Sequence, residues 1–511
     1  MLVENEFDFE GLIVLDLANN HQSSVDHGKA VIRAAAAVAR KHGVRAAMKF
    51  QFRQLDSFIH PAHREGSDNK YVERFLSTEL KPAEFQALLD TVRAEKLLAM
   101  CTPFDEASVD LIRRMGFDIL KVASCSATDW PLLEAVADAG LPVVCSTGGL
   151  ALDQVDDLVS FFDHRGVRFA LMYCVSIYPT PPASMNLNMI DIMRRRYPGV
   201  TIGWSTHEDP GDTAPVQVAL AKGARMFERH VGLETAEIRL NGYSSTPEQL
   251  DRWMAAYRHA EAISGSAAER AVEAVERESL VLLTRGVYAA KAIRKGAALS
   301  RDKVYFAMPR AEGALASGEW HDGFVATAAI KRDAPVLASQ TEAPPEPDYM
   351  VIKSAIHQVK ALLNEASVVL NSEFEVEYSH HYGIRNFRQF GAVIIGCINR
   401  QYCKKIIVQL PGQRHPAHYH KRKEETFQVL SGRLTVNVDG HIKTLEPGET
   451  MLVQPGVWHS FWTDGGCVFE EISTTHYNDD SFYADKKLNK MARAERKTVV
   501  DHWGRYELSG G

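Results

Sequence analysis

Two groups of residues have the types and spacing to do chemistry. The first is a series of short polar clusters, each following an apolar run: Asp16 to His21, Lys49 with Gln51, Thr102 to Asp105, Lys121 to Ser124, Ser146 to Gly148, Ser176 with Tyr178, Ser205 to Glu208, and His230. Lys49 and Lys121, supported by the hydroxyls of Ser124, Ser146 and Ser205, can form a pocket for a small phosphorylated or carboxylated molecule. His207 and His230 end successive apolar runs, and two imidazoles on one rim can hold a divalent ion with waters in its other positions. The plainer alternatives are lysines snorkelling from a rim and histidines satisfied as ordinary polar residues. The second group is His418, His420, Glu425 and His459. Side chains alternate along a strand, so both histidines of the His-x-His share one face, with Glu425 and His459 expected from strands facing them. Three imidazoles and one carboxylate suit a divalent transition metal such as iron, manganese, nickel or zinc. His415, Lys421, Lys423, Trp462 and His476 are nearby candidates for sugar binding or acid-base work, each weighed against plain core or surface.

The elements that must position the first group are eight short strands rich in β-branched or small residues: LIVLDLA, AAMKFQF, LLAMCTPF, ILKVAS, VVCSTG, FALMYCVS, TIGWSTH and RMFERHV. Between them, stretches such as DEASVDLIRRMG repeat apolar residues at three- and four-residue steps, the mark of amphipathic helices. Eight βα units in about 250 residues predict an α/β chain with a (β/α)8 TIM barrel, whose chemistry gathers at the carboxyl ends of the strands. Residues 1–270 are assigned to it, closed by a helix near 248–263. The stretch 53–80 is a candidate lid or substrate loop, and a charged helical stretch, AAERAVEAVERES, leads away.

Residues 279–341 read as a small β-rich module. The proline-rich EAPPEPDYM and the helix near VIKSAIHQVKALLNEA make a linker and helix over 342–365. Turn signals such as LPGQ, LSGR, VDGH, EPGE and QPGV then punctuate residues 366–480, predicting an all-β barrel or jelly roll. Residues 481–511 read as a basic tail with a solvated helix over KKLNKMARAERK.

A net charge of −7, with no large basic block, argues against nucleic acid as a partner. No window is apolar for long enough to span a membrane, and the N-terminus lacks the pattern of a signal peptide, so a cytoplasmic protein is expected. Seven cysteines without a CxxC pair argue against a disulfide framework. Cys101, Cys125, Cys145 and Cys174 fall on or just beyond predicted strands, and Cys125 is the one placed at a strand mouth near Lys121 and Ser124.

Taken together, LDLANNHQSS, KFQ, CTPFDEASVDLI, DILKVASCSATDWPLLE, PVVCSTGG, CVSIYPTPP, GWSTHEDPGDTAPVQVALAKGA and ERHVGL resemble, over residues 10–265, the sialic acid (N-acetylneuraminate) synthase family. That resemblance implies condensation of phosphoenolpyruvate with a sugar aldehyde to a nonulosonic 2-keto-3-deoxy acid. It implies that Lys49, Lys121, Ser124 and Ser205 contact phosphoenolpyruvate and that His207 and His230 hold manganese or magnesium. Asp16, Gln51, Ser146, Tyr178 and Asn241 complete the candidate site.

Three acids of the family are shortened or neutralised here, at Asp16, Ser126 and Asn241, so the acceptor half of the site is expected to differ. RGVYAAKAIRKGAALSRDKV and AIKRDAPV are similar to the antifreeze-like (SAF) domain of the same family. This implies a homodimer in which that domain covers the partner's barrel, with Arg310 a candidate to reach the acceptor. The second group resembles both cupin motifs, with Gln454 in place of a common proline. Two other readings stand beside synthesis: a barrel that only binds sugar, with the cupin as an isomerase or epimerase, and an aldolase or lyase barrel.

Overall fold

Eight parallel strands close a barrel in the computed structural model of the chain, which describes residues 7–266, 270–344, 348–501 and 503. They are β1 (Leu12–Asp16), β2 (Arg45–Phe52), β3 (Leu98–Pro103), β4 (Ile119–Val122), β5 (Val143–Ser146), β6 (Phe169–Cys174), β7 (Thr201–Thr206) and β8 (Met226–His230). β1 pairs with β8, Asp16 opposite His230, so no strand edge is left open. Alternation sorts the side chains into two sets. Leu12, Val14, Ala47, Met100, Ile119, Val144, Ala170, Met172 and Met226 fill the barrel interior. Ile13, Leu15, Met48, Phe50, Leu120 and Leu171 face the helices. The interior is thus an apolar plug, and the polar residues expected at the strand ends sit above it.

Local sequence sets the helix limits. Ser24 caps the helix Val25–Lys41 by accepting from His27 N, and Asp105 caps Glu106–Met115, which ends at Gly116 with φ 75°. Thr246 and Gln249 form a capping box at the start of Pro247–Ser264, the closing helix expected near 248–263. The stretch 53–80 is not a bare loop. It holds the helices Leu55–Phe58 and Lys70–Ser77 with a 3-10 turn at Pro61–His63. In the charged stretch, residues 267–269 lie outside the described residues, and the helix there is Ala274–Leu283.

The chain divides into two compact units, 1–271 and 272–511. The second opens with a small β-rich module in which Gly286–Ala289 pairs with Val304–Ala307, and Val325–Ala326 with Thr341–Glu342. Its core includes Val287, Ile293, Leu299, Val304, Phe324, Ile330 and Val336. Residues 345–347 of the proline-rich linker lie outside the described residues. The helix Asp348–Glu365 then sets Val351, Ala355, Val359 and Leu363 against Val376, Ile395, Ile406 and Val408 of a seven-stranded sheet. A five-stranded sheet completes the all-β domain, with Phe427, Val429, Val436, Phe461 and Phe469 in the core. Gly432, with φ 77°, leaves no room for a side chain, since a Cβ there would lie 2.3 Å from Gly466 O.

The basic tail is corrected by the structure. The helix expected over 486–497 is only the turn Arg493–Arg496, preceded by a 3-10 turn that buries Leu488. Lys497–Asp501 then adds an antiparallel strand to Glu375–Ser379. The physical reason is Glu377, a buried carboxylate at the centre of that first strand. It accepts from Lys497 Nζ at 2.6 Å and Arg493 Nη2 at 2.8 Å, so the basic residues serve as its partners and are not free in solvent.

Burial alone would raise the Glu377 carboxyl, but Lys497 and Arg493 outweigh it and hold it at about 2, below its ordinary 4.5. Its contribution is therefore complete at neutral pH and is lost as pH falls from about 4.5 towards 2. Glu377→Gln should cost on the order of 2 kcal/mol at pH 7 and little at pH 2.5. Denaturant unfolding at the two pH values measures this, and an equal cost at both would contradict it.

Candidate functional site

The barrel mouth is organised by a residue that sequence reasoning did not single out, Glu228. Its carboxylate is buried, with Oε1 accepting from Lys49 Nζ at 2.8 Å and from Ser205 Oγ at 3.2 Å, and Oε2 accepting from Lys121 Nζ at 3.0 Å. Lys49 also lies 3.0 Å from Asp16 Oδ2, and Lys121 donates to Ser146 Oγ at 2.7 Å. Five expected residues on β1, β2, β4, β5 and β7 are thus brought together by one on β8. The signal available in the sequence was parity: Glu228 lies two positions before His230 and so shares its face of the strand.

Burial pushes the charged forms away and the partners restore them. Glu228, fully buried, is nevertheless held below the usual carboxylate range by Lys121 and Lys49. Burial lowers Lys49, but Asp16 and Glu228 more than reverse this and leave it raised. Lys121 is lowered by burial, with Glu228 compensating only in part and Lys49 adding to the decrease. Each ammonium has three donors and the named contacts use two, so one of each remains for a ligand oxygen.

His207 and His230 stand side by side with ring centroids 5.3 Å apart. His207 Nδ1 lies 3.2 Å from Val175 O, which assigns its proton there and leaves Nε2 as a lone-pair donor. Burial, then His230, lowers His207 to about 3, and burial also lowers His230, so neither needs to lose a proton before accepting a metal. His230 Nδ1 is 3.2 Å from Asp16 Oδ2 without the alignment of a hydrogen bond. Two imidazoles fit a divalent ion only if substrate or water fills the remaining positions. Tyr178 and Tyr243 flank the pair, with centroids 4.4 Å from His207 and 5.1 Å from His230.

On the outer face of β8, Arg229 donates to Glu208, Thr206 and Ser245, tying together the loops that follow β7 and β8. Ser124 Oγ accepts from Gly148 N at 3.0 Å and lies 3.2 Å from Cys174 Sγ, where a Cβ on Gly148 would collide with it. Asn241 Oδ1 accepts from Tyr243 N and Ser244 N, so it shapes the loop carrying Tyr243. Ser126 is buried in the turn after β4, and Cys125 beside it is exposed. Gln51 accepts from Arg53, a second residue the sequence reading passed over. Arg310 belongs to the second unit, beneath Gly286 in the small β module.

In the all-β domain, His418, His420, Glu425 and His459 are buried, and one ligand atom from each lies within 4.8 Å of all the others. Each histidine is oriented the same way. Nδ1 of His418, His420 and His459 faces the carbonyl of Pro416, Asp480 and Val457 respectively, which turns Nε2 toward the centre. Glu425 Oε1 lies 2.8 Å from His459 Nε2. Its Oε2 pairs with Lys423, which bridges at 2.9 Å to Glu471, itself 3.0 Å from Lys405. Burial lowers His418 and His420 and so favours the neutral imidazoles that a divalent metal requires, while Lys423 keeps Glu425 ionised against burial.

One expectation is corrected. The strand of His459 is hydrogen-bonded beside that of His418, in register with it, and only Glu425 comes from the other sheet. Of the nearby candidates, His415 packs on His418 at 4.6 Å, Lys423 holds Glu425, and His476 lies 3.2 Å from Lys405. Lys421 covers Phe482, and Trp462 packs with Arg414.

Fold and site together define a (β/α)8 protein with a lysine-lined mouth, joined to a C-terminal cupin. The chain belongs to the NeuB family, whose model matches residues 34–269, and a cupin domain model matches residues 406–472. It is 32% identical over 299 residues to the uncharacterised protein MJ1065 of Methanocaldococcus jannaschii, covering 58% of this chain and 84% of that one. It is 26% identical over 312 residues to a pseudaminic acid synthase of Campylobacter jejuni, covering 59% and 88%. A crystal structure from Chromobacterium violaceum, provisionally described as spore coat polysaccharide biosynthesis protein E, superimposes with a TM-score of 0.63 at 44% identity. The match covers 65% of this chain and all of that one.

Two outcomes follow from this geometry. Glu228→Gln leaves two buried ammonium groups around a neutral amide and should destabilise the barrel by about 3–5 kcal/mol, read by urea unfolding through the buried Trp204 and Trp253. Adding Lys121→Met should recover part of that loss. Equilibrium dialysis against zinc, nickel or manganese should load the cupin site, and His459→Ala should weaken that binding by roughly tenfold or more.

Proposed function

We propose that the barrel condenses phosphoenolpyruvate with a sugar aldehyde to give a nonulosonic 2-keto-3-deoxy acid. The observation that carries this reading is the pair of lysines fastened to Glu228 at the mouth, each with a donor to spare, together with two neighbouring imidazoles whose protonation burial disfavours. Lys49, Lys121, Ser124, Ser146 and Ser205 hold the phosphate and carboxylate of phosphoenolpyruvate through charge-assisted hydrogen bonds. The enol carbon forms a bond to the aldehyde carbon, whose oxygen takes up a proton; water adds to the resulting cationic carbon and gives up a proton. The C–O bond to phosphate then breaks as the new hydroxyl loses its proton to form the keto group, inorganic phosphate leaving with the electrons of that bond.

His207 and His230 are the residues that would hold manganese or magnesium, which when bound polarises the aldehyde oxygen. Asp16 holds Lys49 and borders His230, while Gln51, Tyr178 and Asn241 shape the acceptor side. The family resemblance supports a homodimer in which Arg310 of the small β module reaches the acceptor.

The cupin centre is proposed to hold a divalent transition metal and to act on, or sense, a related sugar. The support for chemistry there is the cluster beside the metal ligands: His415 lies against His418 and His381, and Tyr483 lies 5.6 Å from His418.

Phosphate release from phosphoenolpyruvate, with manganese or magnesium and a panel of N-acylated and plain aldoses, tests the barrel. Release with one acceptor is expected, falling roughly 100-fold or more in Lys121→Ala and in His207→Ala. Silence across the panel with metal retained at the cupin would overturn synthesis. Trapping of a lysine adduct by borohydride would instead identify an aldolase.

A further inference from the structure

Arg53 follows β2 directly and shares the parity of Lys49 and Gln51, so it continues their inward row at the barrel mouth. Its guanidinium is clamped between two aromatic rings, 3.7 Å from the centroid of Phe104 and 3.9 Å from that of Phe75 in the segment after β2. Nη2 donates to Gln51 Oε1 at 3.0 Å, while Nε is buried and has no partner. Lys49, Lys121 and Arg229, the fully buried cations of this unit described above, are each ion-paired, whereas Arg53 is partly buried. Among the described residues no carboxylate pairs with Arg53. Burial lowers it to about 10, with Cys125, Asp16 and Cys101 opposing and Arg74 adding to the decrease, so it still carries its charge at neutral pH. Asp16 is already committed to Lys49, and the residue beside Cys125 is the neutral Ser126.

A largely desolvated cation without a counter-charge is costly, so its persistence at the barrel mouth marks a place for an external anion. Gln51 points the same way. Its carbonyl oxygen is occupied by Arg53, which leaves its amide N–H groups for a ligand. The β2 side of the mouth thus offers donors and a positive charge to whatever lies there. The phosphoenolpyruvate contacts proposed above are met by Lys49, Lys121 and the serines, so the group left for Arg53 belongs to the second substrate.

We propose that the acceptor aldose carries an anionic group, a carboxylate or a phosphate, that pairs with Arg53, and that Arg53 selects charged over neutral sugars. This rests on the condensation reading. The test uses the full chain with phosphoenolpyruvate, metal, and three matched acceptors: an N-acylhexosamine, its 6-phosphate and the corresponding uronate. Wild type should favour one anionic member over the neutral sugar by roughly 10- to 100-fold in kcat/KM, and which member wins identifies the group. Arg53→Gln should raise KM for that acceptor by a similar factor and move KM for phosphoenolpyruvate less than about threefold, with Arg53→Lys recovering part of the loss.

Equal kcat/KM for neutral and charged acceptors, or an Arg53→Gln effect confined to phosphoenolpyruvate, would overturn the proposal. If no acceptor turns over, the condensation reading has failed, and calorimetric titration with the 6-phosphate and the uronate decides separately. Binding weakened in Arg53→Gln supports the anion site, and equal or absent binding in wild type overturns it.

Discussion

The carboxylate of Glu228 is where the barrel and its chemistry meet. One buried anion holds two ammonium groups and a hydroxyl, and the strands that supply them stand around the whole circumference. Burying any one of these charges alone would cost several kcal/mol, so the set is stable only when all of it is present and close. The closed sheet meets that condition. It fixes the strand ends in one layer, and the apolar plug of Leu12, Val14, Met100, Ile119, Val144 and Met172 below denies the charges any deeper position. The same network then keeps two ammonium groups charged and oriented before a substrate arrives.

The neighbouring parts of the mouth follow from that constraint. Asp16 is held between Lys49 and His230 and cannot also neutralise Arg53. Arg229 points away from the site, yet its ion pair with Glu208 and its bond to Ser245 anchor the loops of His207 and Tyr243. The residues that touch a substrate are therefore positioned by others that do not, through hydrogen bonds buried in the wall of the barrel.

The cupin solves a similar problem by different means. Its ligands are aimed by backbone carbonyls, one per histidine, so their orientation is built into the turns and strands. Glu425 is the exception, because it depends on Lys423, which depends in turn on Glu471 and Lys405. Asp480 adds a second brace. Its side chain accepts from the amides of Lys421, Arg422 and Lys423, while its carbonyl receives His420.

The amino-acid sequence by itself determined the barrel, the β-rich remainder, and most of the chemical residues, because those depend on short-range spacing. Short apolar runs that carry Lys49, Lys121, Ser205 or His230 at or near their ends specify a strand, along which side chains alternate between the two faces, and the His-x-His of the cupin is local in the same sense. What only the tertiary structure decided is which side chains meet. Glu228 lies 179 positions from Lys49 and 107 from Lys121, and no local pattern announces that the three share a bond network. The same holds for Lys497 with Glu377, 120 positions apart, and for His459 lying beside His418 instead of opposite it. A buried ion pair is selected by the cost of leaving either charge alone in the interior, and that cost exists only once the chain has closed around both.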